Sequence, residues 1–317
     1  MPGRPKSAAL LLRLVALTSG LVPATQVTGQ STDSVPFLPP EVHRADGSGI
    51  LPHRLELEET TVFPGDSADL DSYTFVTVDH AQAWDQLQLV IDWSALTWNG
   101  TGYDRNVVSS EGLALMGRVT PSGIPFGYYV GSHYYPGRSN LVQVNPDGEL
   151  HRYATFDDRP SGMHNEIVYP YLLSRLTLHE GRSFVVPAFN PYRARAPYQY
   201  RLFVVRGQIV VEDELGHRHE GWRVDAVSRD DVEAARAVAD SFPAAHARYF
   251  VSAEPPYFLG KEWVGWRDGS GRVVLKRWRL TRHESLGVTA RNRMDEILDV
   301  RRRRGADQTL PWRPGGR

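Results

Sequence analysis

The chain has 317 residues, a formal net charge of −1 and no cysteine. That length allows one large all-β domain or two ordinary ones with a core that needs no cross-links. The missing thiols exclude disulfides, thiolate catalysis, cysteine-ligated zinc and a lipid-modified N-terminal cysteine, and near-neutrality gives no global field to draw nucleic acid or an anionic membrane.

In chain order, residues 1–29 read as an export signal. Arg4 and Lys6 form a basic start, Ala8 to Leu17 an apolar run, and Val27-Thr28-Gly29 a small-residue cleavage site. Arg13 interrupts the run, which is far shorter than the ~20 residues needed to span a bilayer. Cleavage is therefore expected, with no transmembrane span left in the mature chain. Residues 30–51 are rich in Pro, Ser, Asp and Gly without an apolar period, and read as a disordered linker.

A β half-barrel domain is expected over 52–284. Leu55-Glu56-Leu57 opens a series of alternating runs; Leu87, Leu89, Ile91 and Trp93 share one parity while Gln86, Gln88 and Asp92 take the other. Further strands are expected over 72–78, 113–119, 126–133, 139–144, 150–156, 183–189, 198–206, 208–212 and 217–227. The last third, over 248–253, 257–266 and 272–280, reads as an antiparallel meander broken by Pro255-Pro256 and Asp268-Gly269-Ser270-Gly271. Asn99-Gly100-Thr101 matches a glycosylation acceptor but suits a tight reversal better.

Two helices interrupt the strands. In 164–178, Val168, Leu172 and Leu176 recur every four residues and Pro170 suits an early turn. In 230–241, Ser228 is placed to cap, Asp231 to reach back, and Val232, Ala235 and Ala239 to pack. The fold class is thus mainly β: a curved antiparallel sheet or half-barrel with two short helices packed on it. Residues 285–317, holding Arg291, Arg293 and the run Arg301-Arg302-Arg303-Arg304, form a basic tail that is either solvated or docked on an anionic partner.

The segment from Tyr171-Leu172-Leu173 through Leu176-Thr177-Leu178-His179-Glu180-Gly181, then Gly221-Trp222-Arg223-Val224, then Tyr249-Phe250-Val251-Ser252 and Pro256-Tyr257-Phe258-Leu259, resembles domain of unknown function 3108, a family of exported Gram-negative proteins. The resemblance spans 55–284 and is best over 171–280. It implies a curved antiparallel half-barrel similar to lipoprotein-carrier folds, a periplasmic or outer-membrane-associated location, and no established catalytic residues. The stretch 94–112 departs from the family as an insertion, as does the basic tail.

Chemistry-bearing constellations are sparse. His217-Arg218-His219-Glu220 places two imidazoles on one side of a strand, opposite Trp222, Val224 and Ala226, so the histidines are expected in solvent with no metal. His133 and His164 with Asp157, Asp158 and Glu166 could serve a hydrolase, but no Gly-x-Ser-x-Gly elbow, His-Glu-x-x-His or phosphate loop accompanies them. The remaining candidates are Trp222, Tyr249, Trp263, Trp266 and Trp278, which either fill a closed barrel or line a concave apolar groove for an amphiphile. The function expected is a non-catalytic envelope protein binding or carrying a lipid-like ligand, without cofactor, metal or nucleic-acid partner. The alternatives are an interaction module that docks another envelope protein, and a hydrolase.

Overall fold

The computed structural model describes residues 35–64, 68–83, 86–97, 100–121, 129–135, 137–144, 150–159, 164–189, 198–230, 232–237, 245–267 and 273–286. Eight strands come first: β1 His53–Val62, β2 Ala68–Ala83, β3 Gln86–Thr97, β4 Gly100–Val108, β5 Leu115–Pro121, β6 Tyr129–Tyr135, β7 Gly137–Val144 and β8 Leu150–Arg159. Six follow: β9 Ser183–Phe189, β10 Tyr198–Glu212, β11 Arg218–Arg229, β12 Ala247–Val251, β13 Phe258–Arg267 and β14 Val273–Ser285. Three short helices, α1 Pro40–His43, α2 Tyr169–Ser174 and α3 Val232–Ala237, accompany them.

All fourteen strands join one sheet in the order β8-β7-β6-β5-β4-β3-β2-β1-β14-β13-β12-β11-β10-β9. Every pairing is antiparallel. The chain winds outward from β1 to the β8 edge, passes through the segment carrying α2 to the opposite edge at β9, and winds back to β14, which pairs with β1. The sheet is curved but not closed, since β8 and β9 are its two ends.

Curvature is visible in side chains. Trp93 on β3 and Phe258 on β13 have ring centroids 6.1 Å apart, although four strand steps of about 4.8 Å separate them along the sheet. Only a tightly curled sheet brings them together. The alternation in sequence explains what fills the curl: Leu55 and Leu57 of β1, Val76 and Val78 of β2, and Leu89 and Ile91 of β3 are fully buried and face inward. Helix α2 enters the same core, with all six of its residues buried. A helix that is covered on every side has no solvent face to make polar. Its Tyr169 meets Phe203 and Tyr249 edge-on, at 5.0 and 5.8 Å between centroids.

The β9 edge is covered. Phe37 and His164 make isolated parallel bridges to Val185 and Ala188, and Leu38 N donates to Val185 O at 2.7 Å. Two short segments thereby occupy backbone groups that an exposed edge would offer to another chain. On the convex face a charge ladder crosses the strands: Glu262 of β13 accepts from Arg248 of β12 at 3.0 Å and from Arg277 of β14 at 2.9 Å.

Several expectations need correction. The stretch 94–112 holds a strand that was not expected: it contains the end of β3 and all of β4, and Thr97 pairs with Gly100 at that hairpin. The strands expected at 198–206 and 208–212 are one strand, β10, whose register shifts between Val205 and Gly207. Ser228 is not a helix cap; it lies in β11 opposite Arg201. Within 30–51, expected to be a linker, Val35, Val42 and Ile50 are buried against the body. The signal segment 1–29 and the tail beyond Leu286 lie outside the described residues, and no helix among those described is long and apolar enough to cross a membrane.

Candidate ligand site on the inner face

The inward parity of β13 runs Leu259, Lys261, Trp263, and places a lysine where its neighbours are apolar. Lys261 lies in register between Tyr249 of β12 and Trp278 of β14. It is 6% exposed. Its ammonium stands over three indole rings, 4.2 Å from the centroid of Trp278, 4.3 Å from Trp263 and 5.4 Å from Trp93. Tryptophan presents the most negative of the aromatic faces to a cation, which makes this cage a favourable place for a positive charge already removed from water. Trp263 and Trp278 meet edge-on at 5.1 Å.

A second buried cation faces the same space. Arg201 of β10 is 8% exposed, and its guanidinium lies 5.4 Å from the centre of Tyr169. Glu166, in the turn leading into α2, reaches both: its Oε1 is 3.5 Å from Arg201 Nη2 and its Oε2 3.8 Å from Lys261 Nζ. The Glu166 side chain is 38% exposed, so the carboxylate is the solvent-facing member of the cluster and the two cations are the buried ones. Burial lowers the Lys261 pKa, opposed by the carboxylates of Glu166 and Glu59. Burial pushes the Tyr169 hydroxyl up to about 12. Tyr249 is raised well above its ordinary value, first by burial and then by Glu166.

This cluster is rich in donors. Arg201 Nε, Trp278 Nε1 and the hydroxyls of Tyr169 and Tyr249 are buried with no hydrogen-bond partner. On the adjoining β1–β14 face the charges are already matched: Lys276 Nζ lies 3.0 Å from Glu59 Oε1 and 3.6 Å from Asp71 Oδ2, and Ser72 donates to Glu59 at 2.7 Å.

The five aromatic candidates divide accordingly. Trp263 and Trp278 come together at Lys261, while Tyr249, beside Lys261 in register, packs its ring on Tyr169 and Phe203; the side chain of Trp266 lies outside the described residues, although its backbone pairs with Val274. Trp222 stands apart, lining a groove of about 650 Å³ between the β10–β11 hairpin and Ser252–Pro255, together with Arg218, Glu220 and Ile209. Sequence reasoning missed Lys261, Arg201, Glu166 as their bridge, and Trp93. The signal available was parity, since each cation shares a strand face with apolar neighbours, Leu259 for one and Phe203 for the other.

The histidines behave differently from expectation. His217 is exposed, but the His219 side chain is only 14% exposed, and both approach Asp213 Oδ2, at 3.1 and 3.3 Å. Asp213 Oδ1 accepts the backbone N–H groups of Leu215 and His217, so this cluster ties down the hairpin turn. Among the described residues no group of three or more His, Cys, Asp or Glu side chains is fit to hold a metal. His164, required by the hydrolase reading, is buried with Nε2 3.0 Å from Gly112 O, while the side chains of His133, Asp157 and Asp158 lie outside the described residues.

No family model matches the chain, and no curated protein matches it. Among solved structures it is similar to the crystal structure of a beta-barrel-like protein of domain of unknown function DUF1849 from Brucella abortus, at 11% identity over 75% of this chain and 99% of that one, with a TM-score of 0.49.

Proposed function

We propose that the protein is a non-catalytic envelope protein that binds or carries an amphiphilic, lipid-like ligand against the inner face of its curved sheet. The observation that carries this reading is the convergence of Trp93, Trp263 and Trp278, from three strands, around one interior point. Trp93 and Trp263 are only partly buried, so part of each ring's surface is left for an apolar chain to cover at about 25 cal/mol per Å². Export, a periplasmic or outer-membrane-associated location and kinship with domain of unknown function 3108 belong to the same proposal. Its test is mass spectrometry of small molecules extracted from natively purified protein. A stoichiometric lipid is expected, and an empty extract together with no saturable uptake of a fluorescent fatty acid would overturn the reading.

A second reading has its own support. Tyr249 is fully buried and Trp278 nearly so, as a filled interior requires, and an interaction module with such an interior would dock a partner on its outer surface. The same extraction separates the two.

A further inference from the structure

We infer that the amphiphile, whose binding is the reading proposed above and on which this step rests, is anionic: its carboxylate or phosphate head is held by Arg201 and Lys261 behind Glu166. The chemistry of the donors carries the argument. Two cations, each more than nine-tenths buried, face one carboxylate within ion-pairing reach of both among the described residues. Both separations, 3.5 and 3.8 Å, lie at the long end for charged partners, which in tight pairs stand at about 2.7–2.9 Å. Around them Arg201 Nε, Trp278 Nε1 and the Tyr249 hydroxyl are buried donors without acceptors. Buried donors are ordinarily satisfied, and what would satisfy this set is an acceptor carrying one negative charge and several lone pairs.

The arrangement also fixes orientation. A guanidinium offers a planar fork to a carboxylate or phosphate, whereas an ammonium acts as a point charge. The head therefore seats on Arg201 with Lys261 beside it, and the tail lies along the Trp263, Trp278 and Trp93 faces. Glu166, which reaches in from the surface, supplies the negative charge when no ligand does and moves aside when one enters. It is a competitor for the site.

The test compares cis-parinaric acid with its methyl ester on the purified full chain by fluorescence titration. The acid is expected to bind at least about tenfold tighter, the gain of a charge-assisted bond over a neutral one. Arg201→Met and Lys261→Met should each erase that preference while leaving ester affinity within about twofold. Because either change sits in the interior, Glu166→Gln, at a partly exposed position, provides an independent readout: it should tighten acid binding and leave the ester unchanged. Equal affinity for acid and ester in the unmodified protein, with both binding, would overturn the head-group site and leave ligand binding intact. No binding of either would overturn the parent reading and this inference with it. Inorganic phosphate or acetate at millimolar concentration displacing the acid head but not the ester would support the site; loss of the acid preference in Trp222→Ala, across the separate groove, would overturn its placement.

Discussion

Lys261 and Glu262 are neighbours in sequence and cannot pair, because strand alternation sends one to each side of β13. Lys261 points into the curl among tryptophans, while Glu262 points outward between Arg248 and Arg277. Each is under a tenth exposed, so two opposite charges adjacent in the chain are solvated by entirely different means.

Lys261→Met should stabilise the protein. A buried ammonium retains a desolvation penalty that its pairing offsets only in part, and the Glu166 carboxylate left behind is 38% exposed and still faces Arg201. A gain of about 1 kcal/mol or more is expected in urea denaturation, accompanied by the loss of acid preference described above. A site kept at the expense of stability is what a binding role would select.

Glu262→Ala should cost roughly 1–2 kcal/mol, since it breaks two pairs at a buried position and leaves two partly covered guanidinium groups unpaired. Arg277→Ala removes one pair at a position 46% exposed and should cost under about 0.5 kcal/mol. Thermal melts at low and at high salt would check both, with the difference shrinking as salt is raised.

Gly260→Ala should be severely destabilising. At φ +150° an added Cβ would lie 2.6 Å from the Trp278 carbonyl oxygen, in the ladder that aligns Lys261 with Trp278, and a loss of roughly 2–4 kcal/mol is expected. Gly216, at φ +82° in the β10–β11 turn, has nothing within 4 Å, so Gly216→Ala should cost only the left-handed backbone penalty of about 1 kcal/mol. Chemical denaturation of the two variants side by side separates crowding from conformation.

Acid should unfold the protein through His53. Its Nδ1 lies 2.7 Å from the Leu51 carbonyl, which can only accept, so Nδ1 carries the hydrogen and Nε2 faces the Tyr171 hydroxyl at 3.4 Å. Burial pushes this imidazole down to about 4. The unfolded chain therefore binds the proton more readily, and the stabilisation is complete above pH 6.5 and lost as pH falls from 6.5 towards 4. The loss is roughly 3 kcal/mol, and His283, also lowered by burial, acts in the same direction. Urea midpoints measured from pH 7.5 to 4 should fall across that window, and His53→Phe should flatten part of the slope.

How much of this was legible in the sequence follows from where the signal is local. β9 matches its expected span, 183–189, because alternating apolar and β-branched residues flank no irregularity. β4, GTGYDRNVV, was missed since Gly, Asp, Arg and Asn disfavour strands, and pairing with β3 overrides that preference. β10 read as two strands because Gly207 interrupts the parity at the register shift. Of the site, the aromatic residues were visible as composition; Trp263 and Trp278 meet edge-on, and Tyr249 packs on Tyr169 and Phe203 instead. Lys261 and Arg201 were not, because a charge on a strand ordinarily marks the solvent face; only the curl that carries β3 over to β13 reveals them as interior.

The pairing of β1 with β14 has a consequence for how the molecule comes into being. The first strand made must wait for the last before both its edges are hydrogen-bonded, so the two halves of the sheet are joined only late, and contacts of such long sequence separation slow folding. Nearly all of the described chain must therefore be made before the centre of the sheet, where β1 lies between β2 and β14, is complete.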